Sequence, residues 1–118
     1  MAQSRKSLKK LRALAFAIQS GRCYYCGQPM WNSDRDLCLL IDKHGISDRQ
    51  ARLLRCTGEH LVAHQDGGSS KQGNIVAACE FCNKQRHAKK VARSPSKHRT
   101  FVRKRLKQGA WHGLTLTC

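Results

Sequence analysis

Acidic residues are scarce in this sequence, and they are confined to its middle. Only 7 of the 118 residues are Asp or Glu, against 23 Lys and Arg, and no acid precedes Asp34 or follows Glu80. The formal net charge of +16 therefore rests largely on two basic ends. Such an excess predicts a polyanionic partner, and we expect nucleic acid, whose phosphates give affinity without sequence readout. A solubility charge and a membrane-surface patch are the alternatives.

The sequence also lacks a long apolar run. A helix that crosses a bilayer needs about 20 predominantly apolar residues, and no stretch here approaches that length. The segment Leu8–Ile18 follows several basic residues, as in a signal or transit peptide, but Arg12 interrupts it and Gly21 comes shortly before the first cysteine. We therefore expect a helix of the mature protein, no membrane partner, and a soluble cytoplasmic protein of bacterial or phage origin.

The cysteines indicate a metal site. A single domain of 118 residues has a small core, which a covalent or metal staple would support. Four of the seven cysteines form two Cys-x-x-Cys pairs, a spacing typical of tetrahedral zinc sites and less expected of a disulfide framework. The predicted structural zinc ligands are Cys23, Cys26, Cys79 and Cys82. The other cysteines, Cys38, Cys56 and Cys118, are interpreted as small buried or terminal thiols.

Periodicity and turn residues predict the remaining elements. Helical spacing of apolar residues predicts a basic amphipathic helix over Ser7–Gln19. A polar connection is expected over Trp31–Asp36, and the run Leu37–Ile41 that follows it fits a strand or a buried helix. Ser47 with Gln50 forms a capping-box pattern, which predicts a short helix through about Leu54. Later elements are strands at Glu59–Ala63 and Asn74–Ala78, a wide loop over Gln65–Gly73, and helices at Lys84–Arg93 and Ser96–Gln108.

The order of motif residues in the two predicted strands and in the segment that follows them resembles the HNH (ββα-metal) endonuclease family in its zinc-stapled form. The resemblance rests on Glu59-His60, Asn74, Asn83 and His87, interleaved with the two cysteine pairs. It implies a small α+β fold, with a ββα-metal, treble-clef-like core and a structural zinc, flanked by basic N- and C-terminal helices. The expected organisation is one nuclease domain over residues 1–118, with the amphipathic helix at 1–22, the core at 23–93 and a basic extension at 94–118.

The resemblance also implies a catalytic site. His60 stands where the family has its general base, and a neutral imidazole near pH 7 suits that role. Glu59, Asn83 and His87 stand where the family binds a catalytic divalent cation, and Asn83 and His87 share one helix face at a spacing of four. These ligands suit Mg²⁺ or Mn²⁺, with Ni²⁺, Co²⁺ or Zn²⁺ as further options. Asn74 is expected to bridge loop backbone groups and so position His60.

Some residues depart from the commonest family pattern or lie outside it. Glu59 replaces the more usual Asp or His, and Asn83 stands where some members have a second histidine. His64 is interpreted as a loop histidine, with metal ligation or phosphate contact as alternatives. No function is assigned to His44, His98 or His112.

The basic C-terminal part is expected to contact DNA, with RNA a less expected partner. In the family, the helix lies against the minor groove. The cations assigned to this contact are Lys84, Arg86, Lys89, Lys90 and Arg93. The expected product ends are 5′-phosphate and 3′-hydroxyl. A monomer or weak homodimer is expected, with the C-terminal apolar residues Trp111, Leu114 and Leu116 used for core packing rather than self-association.

Two alternatives to an endonuclease remain open at this point. One is a non-catalytic zinc module that binds DNA or RNA through its basic ends, which would need none of the five motif residues. The other is a secreted basic protein held by disulfides, which would resist chelators and respond to reductant.

Overall fold

The computed structural model describes residues 5–62 and 72–116, and these form a small α+β fold, as predicted. The helices are α1 (Arg5–Ile18), α2 (Asp34–His44), α3 (Asp48–Leu53), α4 (Glu80–His87) and α5 (Pro95–Lys107), and the strands are β1 (Cys56–His60) and β2 (Ile75–Cys79). A single 3₁₀ turn, Gln72–Asn74, precedes β2. His64, Cys118 and most of the predicted wide loop lie outside the described residues.

Helix α1 covers the β1–β2 hairpin, and its prediction from apolar periodicity is confirmed. Ala15 is buried, while Phe16 packs against the core from the side. Just beyond the helix, the Gln19 amide both donates to the Ala77 carbonyl oxygen and accepts from the Ala77 N–H, each at 2.8 Å. These two bonds satisfy the outward-facing backbone groups of Ala77 as another strand would.

Helices α2 and α3 form the connection between the first cysteine pair and the hairpin. The run Leu37–Ile41 lies within α2, so the helical alternative is confirmed, and the polar connection ends earlier than predicted because Ser33 caps α2. The Ser33 hydroxyl accepts from the Asp36 N–H at 3.1 Å. The capping box of Ser47 and Gln50 opens α3 as predicted, with both reciprocal bonds present.

The hairpin is antiparallel, and its first strand begins three residues earlier than predicted. Cys56 pairs with Cys79, and His60 pairs with Ile75 at the open end. The cysteine pairing places the end of β2 at the metal cluster, and this register ends β1 at His60. Leu61 and Val62 are therefore bend residues beyond the strand despite their β-compatible side chains.

Helix α4 also begins and ends earlier than predicted. Cys79 is its N-cap residue, so the helix starts directly after β2, and it ends at His87 instead of continuing to Arg93. The chain then folds back, and Ser94 with Pro95 opens α5 close to the predicted start. The C-terminal apolar residues are used for packing, as predicted, since Leu114 is buried and Trp111 and Leu116 contact the core.

Four cysteine sulfurs from the two pairs meet at one point, and they could hold a structural metal such as zinc. The Sγ atoms of Cys23, Cys26, Cys79 and Cys82 all lie within 4.8 Å of one another, and all four residues are buried. Backbone N–H groups point at the sulfurs, including that of Cys79, which donates to Cys23 at 3.2 Å. Trp111 adds an indole N–H donor 3.3 Å from the Cys82 sulfur. N–H donors of this kind favour the thiolate form that zinc requires.

The remaining described cysteines stay outside this cluster. Burial raises the pKa of the Cys56 thiol to about 12, so it remains protonated near neutral pH. Cys38 is exposed on α2, so the prediction of a small buried thiol is wrong for this residue. None of the cysteines in residues 5–62 and 72–116 is part of a disulfide.

Within the described ranges, no helix is long and apolar enough to cross a membrane.

Removal of the metal from the four-cysteine cluster is expected to unfold the protein. Zinc binding to such a site contributes about 10 kcal/mol or more, comparable to the entire stability of a small domain. Chelation, or the substitution Cys82→Ala, should abolish zinc binding and cooperatively remove the helical circular dichroism. Cys38→Ala is the matched control and should keep one zinc per chain. Unchanged circular dichroism after verified zinc removal would show that the fold does not depend on a metal in this cluster.

Candidate catalytic metal centre

The side chain of Glu59 is the centre of the candidate site. It is 2% exposed, although it is a carboxylate on a two-stranded hairpin. Alternation along β1 turns Glu59 and Thr57 towards α4, while Cys56, Gly58 and His60 face the other side. Three side chains surround the carboxylate: Tyr25 Oη lies 3.1 Å and Arg86 Nη1 3.2 Å from Oε2, and His87 Nε2 lies 2.9 Å from Oε1. Burial of this charge is thus compensated by direct partners.

Arg86 is an internal residue, which corrects its assignment to the DNA-contacting cations. It is only 5% exposed, and its guanidinium forms an ion pair with Glu59. It also donates to the backbone carbonyls of His60, Leu61 and Arg93 at 3.0, 3.2 and 3.0 Å. Because all these acceptors are internal to the fold, Arg86 joins β1, the following bend and the segment before α5.

His87 and Asn83 lie on the α4 face that packs against β1, as their spacing predicts. The 2.9 Å between His87 Nε2 and Glu59 Oε1 matches the separation of about 3 Å for two adjacent ligands of an octahedral cation with bonds near 2.1 Å. The Asn83 amide nitrogen donates to Thr57 Oγ1 at 2.9 Å. That bond orients the amide, and the side-chain oxygen of Asn83 is the atom left for a cation. These three residues fit a divalent cation by donor type.

His60 stands at the end of β1 on the face opposite to Glu59. It lines a groove of about 420 Å³ with residues of α1 and the hairpin, namely Leu8, Lys9, Arg12, Gly58 and Ile75. The structure therefore brings Glu59 and His87 together but places His60 on the other face of the strand. Its backbone remains tied to the Glu59 side, because the His60 carbonyl oxygen accepts from Arg86.

Asn74 makes the backbone bridge that the family resemblance implies. Its side-chain oxygen accepts from the Val62 N–H, and its side-chain nitrogen donates to the Val62 carbonyl oxygen, both at 2.9 Å. The Leu61 N–H donates to the Asn74 carbonyl oxygen at the same distance. The residues directly after His60 are thereby held against the start of β2, although the consequence for catalysis stays a prediction.

Three of the four remaining assigned cations lie around one open groove beside His87, and Lys84 lies outside it. This groove, of about 680 Å³, includes Lys89, Lys90 and Arg93 in its wall. Lys89 and Lys90 are exposed, whereas the Arg93 guanidinium stacks over the Phe101 ring at 3.8 Å. Lys84 lies on the exposed side of α4, 3.6 Å from Glu80. Lys89 and Lys90 are thus the cations best exposed to a phosphate near the candidate site.

Tyr25 and the internal role of Arg86 were not predicted from the sequence. Tyr25 lies inside the first cysteine pair and is fully buried, with its ring edge-on to His98 at 4.7 Å between centroids. Burial and the nearby Glu59 charge raise the pKa of the Tyr25 phenol, so it remains a hydrogen-bond donor. The available signal was an aromatic residue with a polar end placed between two metal ligands, which is compatible with many other roles.

Comparison with known proteins supports the resemblance over part of the chain. No curated protein and no solved structure matches the chain significantly. A family model described as HNH endonuclease matches residues 42–89. This stretch contains Glu59, His60, Asn74, Asn83 and His87, together with the second cysteine pair. The first pair lies outside the matched residues and joins them through the four-sulfur cluster. The match indicates a nuclease-type or other nucleic-acid-related function, and it confirms the resemblance of residues 42–89 to the HNH endonucleases.

Proposed function

We propose that this protein is a metal-dependent endonuclease that hydrolyses DNA phosphodiester bonds by a one-metal mechanism. The observation that carries the proposal is the pairing of the buried Glu59 Oε1 with Nε2 of the partly exposed His87 at 2.9 Å. A structural module needs no buried carboxylate aimed at a histidine on a neighbouring helix. The family match over residues 42–89 supports the same conclusion.

Three side chains would hold the cation: Glu59 through Oε1, His87 through Nε2 and Asn83 through its amide oxygen. A bound Mg²⁺ or Mn²⁺ would supply positive charge to the phosphate oxygens and the departing 3′ oxygen. Glu59 supplies the negative charge, and its Oε2 stays on Tyr25 and Arg86. His87 is accessible from outside, because 39% of its side-chain surface is exposed.

His60 is the proposed general base, and its position constrains where the phosphate lies. It is the last residue of β1, so a phosphodiester that crosses the end of this strand can reach both faces. The neutral imidazole would accept a proton from water as the water oxygen attacks phosphorus and the 3′ oxygen leaves. Lys9 and Arg12 line the groove on the His60 side. They would hold the same phosphate backbone from the face opposite to Lys89 and Lys90.

A second candidate function is a non-catalytic DNA- or RNA-binding module with the same fold. One observation favours it: Glu59 is already paired with Arg86 and His87, while His60 lies across the strand. Binding through the basic surfaces would need no divalent cation. The two functions therefore differ in whether the Glu59–His87 pair binds Mn²⁺ and whether DNA is cut.

Replacing the proposed base should abolish cleavage while leaving the fold intact. We expect His60→Ala to reduce nicking of supercoiled plasmid with Mg²⁺ or Mn²⁺ by about 100-fold or more, the usual contribution of a positioned base. Zinc content and DNA affinity should stay unchanged. His44→Ala, the same change at a histidine outside the motif, is the control. Equal nicking by both variants would remove His60 from the mechanism.

Removal of the most exposed of the three proposed cation ligands should strongly weaken binding of the divalent cation and abolish cleavage. His87→Ala deletes one ligand of three at a partly exposed position, so we expect little loss of stability but a much weaker Mn²⁺ affinity. Isothermal titration of the zinc-loaded protein with Mn²⁺ measures this directly. Gln85→Ala, on the exposed surface of the same helix, should bind Mn²⁺ like the original protein. Wild-type Mn²⁺ binding by His87→Ala would contradict the proposed site.

The exposed lysines beside His87 should contribute to the salt dependence of DNA binding. Each phosphate contact that is lost lowers the slope of log affinity against log salt by about 0.9. We expect Lys89→Ala with Lys90→Ala to lower the slope by about 1.8. The control is Arg35→Ala with Lys43→Ala on α2, which removes the same charge from exposed positions away from the groove. Equal slopes for the two double variants would exclude a specific role of the groove.

A further inference from the structure

The first cysteine pair reaches the candidate cation site through one side chain. Tyr25 lies between Cys23 and Cys26, and its backbone N–H points at the Cys23 sulfur at 3.4 Å. Its phenol donates to Glu59 Oε2 at 3.1 Å, across 34 positions of sequence. Tyr25 thus belongs to the four-sulfur cluster through its backbone and to the cation site through its hydroxyl group.

Surrounding contacts leave the Tyr25 ring little freedom. The ring is fully buried and meets the Tyr24 and His98 rings edge-on, at centroid separations of 5.2 and 4.7 Å. The side chain of Arg103, on α5, donates to the Tyr25 carbonyl oxygen. Because the backbone and the ring are both held, the phenol oxygen has a defined position relative to Glu59.

The two oxygens of Glu59 have different partners, and this difference is the basis of the inference. Tyr25 and Arg86 both bind Oε2, whereas Oε1 faces His87. Without the donors at Oε2, the carboxyl group could rotate and exchange the two oxygens. With them, Oε1 is the atom presented to a cation held by His87 and Asn83.

We propose that Tyr25 is a positioning residue that, together with Arg86, fixes the carboxylate of Glu59 for cation binding and so makes the cation site depend on the cysteine cluster. The inference rests on the proposed function, because it assumes a cation at Glu59 and His87. It adds to that function a second task for the cysteine cluster, which supports the active site as well as the fold. Partners that orient a metal ligand in this way typically change metal affinity by about 10- to 100-fold.

The test is the substitution Tyr25→Phe, which keeps the ring and deletes only the hydroxyl group. In the zinc-loaded protein we expect the Mn²⁺ dissociation constant to rise by about tenfold, with one zinc per chain and circular dichroism unchanged. The Mn²⁺ concentration for half-maximal plasmid nicking should rise by the same factor, and nicking at saturating Mn²⁺ should fall by less. Tyr24→Phe is the matched control, since Tyr24 is partly buried, and it should change none of these quantities.

A second variant tests the same arrangement from α4. Arg86→Lys keeps the charge but cannot reach Glu59 and three backbone carbonyls together, so it should also weaken Mn²⁺ binding. Wild-type Mn²⁺ affinity in either variant, with zinc retained, would overturn the positioning role. If the original protein binds Mn²⁺ and His87→Ala does not, that result would leave the proposed cation site in place. Failure of the original protein to bind Mn²⁺ would remove the cation site and this inference together.

Discussion

Glu59 is a carboxylate almost fully removed from water, and most side chains of the candidate site are arranged so that they compensate its buried charge. An isolated charge in this position would be strongly destabilising, and three direct partners share its compensation. Those three partners come from two distant parts of the chain: Tyr25 from the first cysteine pair, and Arg86 and His87 from α4. In residues 5–62 and 72–116 it is the only buried acid. Its burial therefore ties the hairpin, α4 and the cysteine cluster into one structure.

The four-cysteine cluster provides the framework in which this compensation is possible. Cys79 ends β2 and caps α4, so the strand and the helix meet at the metal ligands without an intervening loop. Cys23 and Cys26 bring Tyr25 to the same place from far upstream. A small core alone would hold these segments weakly. A metal bound to the cluster would hold these segments together, so that a charged group can be buried close to them.

Sequence patterns predicted the parts of this protein that local chemistry determines. The Cys-x-x-Cys pairs, the Ser47 capping box and the spacing of Asn83 and His87 each depend on a few neighbouring residues, and each is seen in the structure. The early start of β1 depends on pairing with Cys79, and the burial of Arg86 depends on Glu59. Both are long-range consequences of folding. A charge count places every arginine among the surface cations, because it contains no information on which acid is buried.

The positive charge of the protein disfavours cation binding at the candidate site, and the phosphates of bound DNA would offset this effect. A divalent cation is repelled by a protein of net charge +16, and the one carboxylate beside His87 is already shared with Arg86. A phosphate that crosses the end of β1 would add negative charge next to the cation ligands. Cation binding and DNA binding would then favour each other by linkage. In this arrangement the basic surfaces would do more than attract DNA. By holding a phosphate beside the cation ligands, they would supply the negative charge that favours cation binding.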